Sequence, residues 1–162
     1  MGMSARPVSN SIVNMTEMVL PSHTNSFGSV FGGTVMSWID IAAAISAQRH
    51  SSSPVVTASI DDLHFIQPVY QGWVVNLKAC VNYVSKTSME VGVRVDAENP
   101  ISGEKFHTAS AYLTFVALTK DGKPKSVPEL LPESEDEKRR YKEAEQRRAW
   151  RLHRRKLFSE HA

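Results

Sequence analysis

The sequence predicts an α+β domain in which a five-stranded antiparallel sheet wraps around one long central helix, with a charged helix following at the C-terminus. Three observations lead there. Residues 34–49 run without a helix breaker and are apolar on almost every side, as in a helix enclosed by other structure. Four segments of strand-like composition follow it, and their short links require antiparallel neighbours. A sheet with a single very apolar helix to cover satisfies both by curling around it.

Each element has its own signal. Residues 9–20 carry Ile12, Val13, Met15, Met18 and Val19 and read as a first strand. Pro21-Ser22-His23-Thr24 turns the chain into a segment with Gly28, Gly32 and Gly33, a glycine turn that feeds the helix. On the helical wheel Val35, Trp38, Ile39, Ile41 and Ile45 form a bulky side. Gly33, Ser37, Asp40, Ala43, Ala44 and Ala47 form a small side that carries one carboxylate. Residues 55–65 are β-rich, and 73–84 alternate, with Val75, Leu77, Ala79 and Val81 on one parity. Residues 89–97 alternate again, placing Glu90, Gly92, Arg94 and Asp96 together, and 105–118 form the last strand. The helix's small side and the open sheet edge would stay uncovered in a monomer, so subunits are expected to pair.

A length of 162 residues, 41% hydrophobic and 22% charged, fits one globular domain. The lone cysteine, Cys80, excludes an internal disulfide and suits a reducing compartment. The start, residues 1–13, has no apolar run of signal-peptide type, and no stretch is long and apolar enough to cross a membrane. The sequon at Asn14 is expected to be inert. A net charge of +2 is too small to announce a nucleic-acid binder, but ten of the residues 138–156 are basic. We therefore divide the chain into a domain over 1–132 and a charged helical extension over 133–162. The extension is expected to be a solvated helix with one face against a neighbouring subunit, or, in the sharper reading, an anion-attracting arm.

The strongest chemical signal is Asp40. Desolvation disfavours a buried charged carboxylate, so Asp40 must be hydrogen-bonded, protonated or set in a wet cleft. A structural aspartate bonded to a neighbouring strand's hydroxyls or amides is the plain alternative. Upstream, the glycine turn at the helix start presents unpaired N–H groups where a carbonyl oxygen gaining charge is stabilised. Asn25 adds a side-chain amide just before that turn. An oxyanion site and a carboxylate two turns along the same helix are the parts that water-mediated acyl transfer needs. No residues stand at metal-ligand spacing, no nucleotide-cradling Gly-Lys loop follows a strand, and His64, His107 and Cys80 are assigned no chemistry.

The whole pattern resembles the hotdog-fold acyl-CoA thioesterases, in the cytosolic acyl-CoA hydrolase and YciA-like branch. The match is carried by N-x-x-G-x-x-F-G-G-x-x-x-x-x-x-D from Asn25 to Asp40, and by residues 55–61, 65–69, 85–91 and 127–138. The resemblance implies hydrolysis of acyl-CoA to a free fatty acid and coenzyme A in cytoplasmic lipid metabolism. Coenzyme A is then part of the substrate and a product, and no other cofactor is implied. It implies sites between paired subunits, with dimers commonly joined as a trimer of dimers. Asp40 would be the catalytic carboxylate and Asn25 its companion from the other subunit. The thioester oxygen would face the amides around Gly32 and Gly33. Asp40 would act as general base on a water or attack directly to give an anhydride. Thr57 would hydrogen-bond the site or merely be a β-branched strand residue, and Lys86 and Ser88 are placed near the coenzyme by position only. A hydratase of this fold would carry an active-site histidine in or before the helix, and His23 and His50 only flank the match. The competing class is a non-catalytic acyl-CoA sensor whose basic tail binds nucleic acid, but no reading module accompanies that tail.

Overall fold

The structure, a computed structural model, describes residues 3–159. Residues 1–2 and 160–162, the last of which end the expected charged extension, lie outside the described residues.

Helix α1 (Gly32–Ser51) lies across a sheet of five antiparallel strands: β2 (Val13–Met18), β3 (Val55–Ile60), β4 (Val74–Val84), β5 (Ser88–Glu98) and β6 (Lys105–Ala117). Their order is β2-β4-β5-β6-β3, so β2 and β3 are the edges. The inward parity is apolar throughout: Val75, Leu77, Ala79 and Val81 on β4, Val91, Val93, Val95 and Ala97 on β5, and Leu113 and Phe115 on β6 are all buried. Ala109, Ala111 and Ala117 on β6 meet a helix that offers Ala42, Ala43 and Ala47, each fully buried. Small residues on both sides let helix and sheet approach closely and exclude water from the seam.

That seam corrects the wheel reading. The sheet takes one side of α1, and the side it takes combines Val35, Trp38 and Ile39 with the alanines Ala43 and Ala47 that we expected around the carboxylate. Ile41, expected on the bulky side, is half exposed, as is Met36. Close approach selects side chains by size as well as apolarity. The helix is thus covered on one side within a single chain, and is not enclosed.

The first strand is shorter than expected. Val8–Ser11 coils as a 3₁₀ turn, and the Ser11 hydroxyl donates to the Val8 carbonyl at 2.7 Å and accepts the Val81 amide at 2.9 Å. The ladder between β2 and β4 ends at the pair Val13 and Ala79, and the Ser11 hydroxyl takes the place of a strand partner for Val81. Residues 61–68 do not continue β3 but ride beside β6 through single amide bonds, Asp61 to Tyr112 and Ile66 to Thr108. A short parallel pair, β1 (Arg6–Pro7) with β7 (Leu130–Leu131), ties the two ends of the body together. Arg6 also donates to the His50 carbonyl at 2.6 Å and Ser52 Oγ at 2.7 Å, placing a cation at the C-terminus of α1.

Helix α2 (Glu135–Ser159) begins with a capping box: the Glu137 amide donates to Ser134 Oγ, and the Glu137 carboxylate accepts the Ser134 amide. It is not the largely solvated rod expected from its charge. Its first half docks on the outer face of its own sheet, with Ala144 fully buried and the Tyr141 and Tyr83 rings 4.9 Å apart. Arg147 lies 3.7 Å over the Tyr112 ring and grips Glu90, whose side chain is 1% exposed. The shortest of those contacts, Nη2 to Oε1, is 2.7 Å. Burial opposes the Arg147 charge, but its hydrogen bond to Glu90 more than restores it and holds the guanidinium above its ordinary range. Arg151 donates from one nitrogen to both Glu90 Oε2 at 3.0 Å and Asp61 Oδ2 at 2.8 Å.

Candidate active site

The loop that carries Asn25 is pinned at both ends before it reaches α1. Thr24 bridges Val30, Ser29 bridges Tyr70, and the Val30 amide donates to the Val69 carbonyl at 2.7 Å. Within it, Asn25 Oδ1 accepts the Phe27 amide at 2.9 Å while Nδ2 donates to Ser29 Oγ at 3.0 Å, an Asx turn closed by Gly28 at φ +77°. One Nδ2 proton is therefore spent locally and the second remains for a neighbour. Asn25 is exposed, and among the described residues it makes no hydrogen bond to Asp40 within the chain.

Helix α1 starts at Gly32 itself, so Gly32 and Gly33 are its first two residues and not the turn before it. The amides of Thr34 and Val35 donate to the Phe31 carbonyl, and no side chain caps the helix. The Gly32 and Gly33 amides are left without an intrahelical acceptor, at the positive end of the macrodipole. Their missing side chains make room for aromatics. A Cβ on Gly33 would lie 2.7 Å from the Phe31 ring, and one on Gly32 would lie 3.4 Å from the Phe65 ring.

Two turns along, Asp40 is half-buried on the open side of α1. Its Oδ1 accepts the Thr57 hydroxyl at 2.6 Å. Thr57 faces the helix from edge strand β3, and the register there shifts between Thr57 and Ser59. Asp40, Thr57 and the Gly32–Gly33 end of α1 thus share one open face. Exposed Phe27, Phe31, Phe65 and Ile41 also stand out from the chain. Ser88, at the start of β5, lies instead on the outer face of the sheet, and exposed Lys86 sits in a separate hollow beside Glu129 and Tyr141.

Sequence reasoning passed over three groups. His50 is fully buried, and its Nε2 donates to the Pro128 carbonyl at 2.9 Å. Burial pushes its imidazole below the ordinary range; the bond to Pro128 opposes that shift and nearby Arg6 adds to it. His107 pairs with Asp96 at 3.1 Å, and Glu90 anchors α2. The His50 and Glu90 contacts are made across 78 and 57 positions, with no local signature, while His107 meets Asp96 across the β5–β6 pairing, 11 positions away. Among the described residues no group of His, Cys, Asp or Glu is placed to hold a metal, and no helix is long and apolar enough to cross a membrane.

Comparison with known proteins matches residues 27–104 to the Thioesterase superfamily. An uncharacterized acyl-CoA thioester hydrolase of Bacillus subtilis, YkhA, is 45% identical over 122 residues, which are 75% of this chain and 71% of its own. The cytosolic acyl coenzyme A thioester hydrolase of Mus musculus is 39% identical over 142 residues, but the chain spans only 37% of that longer protein. An apo-hexameric acyl-CoA thioesterase superposes with a TM-score of 0.90 at 42% identity, covering 94% of this chain and 97% of that one. The acyl-CoA hydrolase of Staphylococcus aureus, solved with butyryl coenzyme A and coenzyme A, gives a TM-score of 0.89 at 38% identity over 96% and 95% of the two chains. Alanine variants of that enzyme at an aspartate, an asparagine and a threonine have also been solved. The hotdog sheet and helix, the glycine-opened helix end and these likenesses agree: the chain belongs to the thioesterase superfamily, in its acyl-CoA thioester hydrolase branch.

Proposed function

We propose that this chain hydrolyses acyl-CoA thioesters to a carboxylic acid and coenzyme A at a site completed by a second subunit. The observation that carries the reading is the 2.6 Å bond from Thr57 to Asp40, two turns along the open face of α1 from a helix end whose first two amides have no intrahelical acceptor. The Thr57 hydroxyl fixes one carboxylate oxygen and leaves the other free to take a proton. Asp40 then acts as general base on a water, and the Gly32 and Gly33 amides receive the oxyanion as the thioester carbonyl is attacked. Direct attack by Asp40, giving an anhydride that water opens, uses the same atoms. Asn25 of the partner subunit, with its remaining Nδ2 proton, orients the water or the carbonyl. Lys86 and Ser88 are retained as contacts to the coenzyme.

Spacing supports the residue roles. In the Staphylococcus aureus enzyme the asparagine, aspartate and threonine replaced by alanine lie 15 and then 17 positions apart, as do Asn25, Asp40 and Thr57 here. The assembly we infer is a homodimer built on the open face of α1 and the free edge of β3, with dimers joined as a trimer of dimers. Its supports are the exposed apolar side chains on that face and the hexameric relatives. The single cysteine and the cytosolic mammalian relative favour work in the cytoplasm. The sensor reading loses ground because Arg147 and Arg151 of the tail are spent on Glu90 and Asp61 of the chain's own body.

Steady-state hydrolysis across a panel of acyl-CoA chain lengths tests the reading. Asp40→Asn is expected to lower kcat by at least about a hundredfold and Asn25→Ala by about tenfold. Near-native turnover in both variants would refute it.

A further inference from the structure

We propose that Ser110, His107 and Asp96, on the outer face of the sheet, form a second acyl-transfer centre that takes the acyl group of a small activated ester onto the Ser110 hydroxyl. The proposal goes beyond the hydrolase reading and does not rest on it. The centre shares no residue with the site at Asp40 and lies on the face of the sheet turned away from α1.

A defect in one strand assembles it. Positions 107 and 110 are three apart, and in an unbroken strand such residues point to opposite faces. Strand β6 carries an extra residue at Thr108, because Val95 pairs with Ala109 while Asp96 pairs with His107. The bulge turns His107 onto the face that Ser110 occupies. Asp96 Oδ1 then meets His107 Nδ1 at 3.1 Å, and His107 Nε2 meets Ser110 Oγ at 3.1 Å. Asp96 and His107 are half-buried, while Ser110 is open to the surface.

Charge sets the direction of the proton. Burial works against the Asp96 charge, but hydrogen bonds from Arg94 and His107 outweigh it and hold the carboxyl below its ordinary range. An ionised Asp96 only accepts, so it fixes the proton of neutral His107 on Nδ1 and leaves the Nε2 lone pair for the Ser110 hydroxyl. Ser110 Oγ then bonds to the ester carbonyl carbon while its proton passes to Nε2. The carbon–oxygen bond to the alcohol breaks, and the departing oxygen takes that proton. A water deprotonated by the same nitrogen cleaves the acyl-serine to the acid and restores the hydroxyl. Arg94 pairs with Ser110 across the strands and gives only its Nε to Asp96. Its terminal N–H groups remain for the carbonyl oxygen as charge develops there.

The pocket that Ser110 lines selects the substrate. It encloses about 330 Å³ between the first half of α2 and the sheet, with Ile12, Val93 and Tyr112 as apolar walls and Lys78 and Arg140 beside them. That is near the small end of ligand pockets, which start at about 300 Å³. Because Arg94 shares Asp96, the imidazolium is stabilised less than by a carboxylate of its own, so the ester must bring a good leaving group. The class is therefore a short-chain aryl ester and not an amide.

The test is labelling of the full chain with an alkyl fluorophosphonate, which transfers its phosphonyl group to an activated serine with loss of fluoride. Peptide mass spectrometry separates Ser110 from Cys80 and Tyr112, which line the same pocket. Label is expected on Ser110, with kinact lowered at least about a hundredfold in His107→Gln and about tenfold in Asp96→Asn, and KI unchanged. A purely structural contact would leave kinact where it is. With Asp40→Asn removing the first site, hydrolysis of p-nitrophenyl acetate should fall at least about tenfold on adding Ser110→Ala, a change that an exposed strand position tolerates. Acyl-CoA hydrolysis by Ser110→Ala alone should equal wild type, and a parallel loss would overturn a separate centre. Absence of label on Ser110, an equal labelling rate in His107→Gln, or unchanged ester hydrolysis on Ser110→Ala each overturns the proposal.

Discussion

Replacing Thr57 by valine removes one hydroxyl and keeps a β-branched side chain suited to edge strand β3. That hydroxyl donates to the Asp40 carboxylate at 2.6 Å, the short end of the charge-assisted range. Such bonds are worth about 1.5–3 kcal/mol. Thr57 is exposed in the single chain, which argues for the lower value, about 1.5 kcal/mol. At about 1.4 kcal/mol per factor of ten, kcat for a preferred acyl-CoA should fall about tenfold. KM should change little, because the lost bond orients the carboxylate and not the substrate. The assay is release of the coenzyme A thiol, followed with a chromogenic thiol reagent, and Thr57→Ser serves as control. Serine restores the donor and should recover most of the rate. A valine variant within twofold of wild type, or a serine variant as slow as valine, would refute the role given to this bond.

Three further outcomes follow from the geometry. Gly33→Ala puts a Cβ 2.7 Å from the Phe31 ring, whereas Gly32→Ala makes an ordinary 3.4 Å contact with Phe65. The exposed Phe31 ring must leave its place beside the helix end, so Gly33→Ala should lose about tenfold in kcat with little change in Tm, and Gly32→Ala much less. Arg147→Ala strips Glu90 of one of its two cations. Removing one partner of a fully buried pair costs about 3–5 kcal/mol, and with Arg151 retained about 2 kcal/mol is expected. For a domain of this size that is roughly 4–8 °C in Tm by circular dichroism, and a shift below about 1 °C would contradict the clamp. His50 is depressed by burial, so the unfolded chain takes up a proton that the folded chain refuses. Its contribution to stability is intact above the ordinary imidazole pKa of about 6.5 and is lost as pH falls toward the lower folded value. Denaturant titrations from pH 7.5 to 5 should show that loss in wild type, and His50→Gln, which keeps a donor for Pro128, should flatten it.

What could be read from the residues was local. Helix α1, the alternating strands and the acidic start of α2 each announce themselves within a dozen positions, by period or by cap. The union of Asp40 with a strand hydroxyl was among the expected alternatives, since a half-buried carboxylate needs a donor and β3 follows α1 directly. The side of α1 that the sheet would take was not legible. A wheel ranks faces by size, but it does not say that Ala109, Ala111 and Ala117 on β6 would admit Ala43 and Ala47 and leave Ile41 outside. Glu90 was hidden for a related reason. On an alternating strand it reads as an outward, wet residue, and only the return of Arg147 and Arg151 from 57 and 61 positions later makes it a buried one. His50 and Pro128 meet across 78 positions, beyond any periodic signal.

The double duty of Arg151 bears on how this protein can be shortened or fused. One guanidinium serves an acid from the middle of the sheet and another just past its edge, so the last helix rivets two strands that do not otherwise touch. Removing the chain from Glu135 onward would uncover the outer face of the sheet, open the Tyr83 and Tyr112 rings to solvent and leave Glu90 and Asp61 without their cations. The terminal helix is therefore an integral counterweight to the body's acids, and grafting a partner protein in its place would unsettle the strand that carries Thr57.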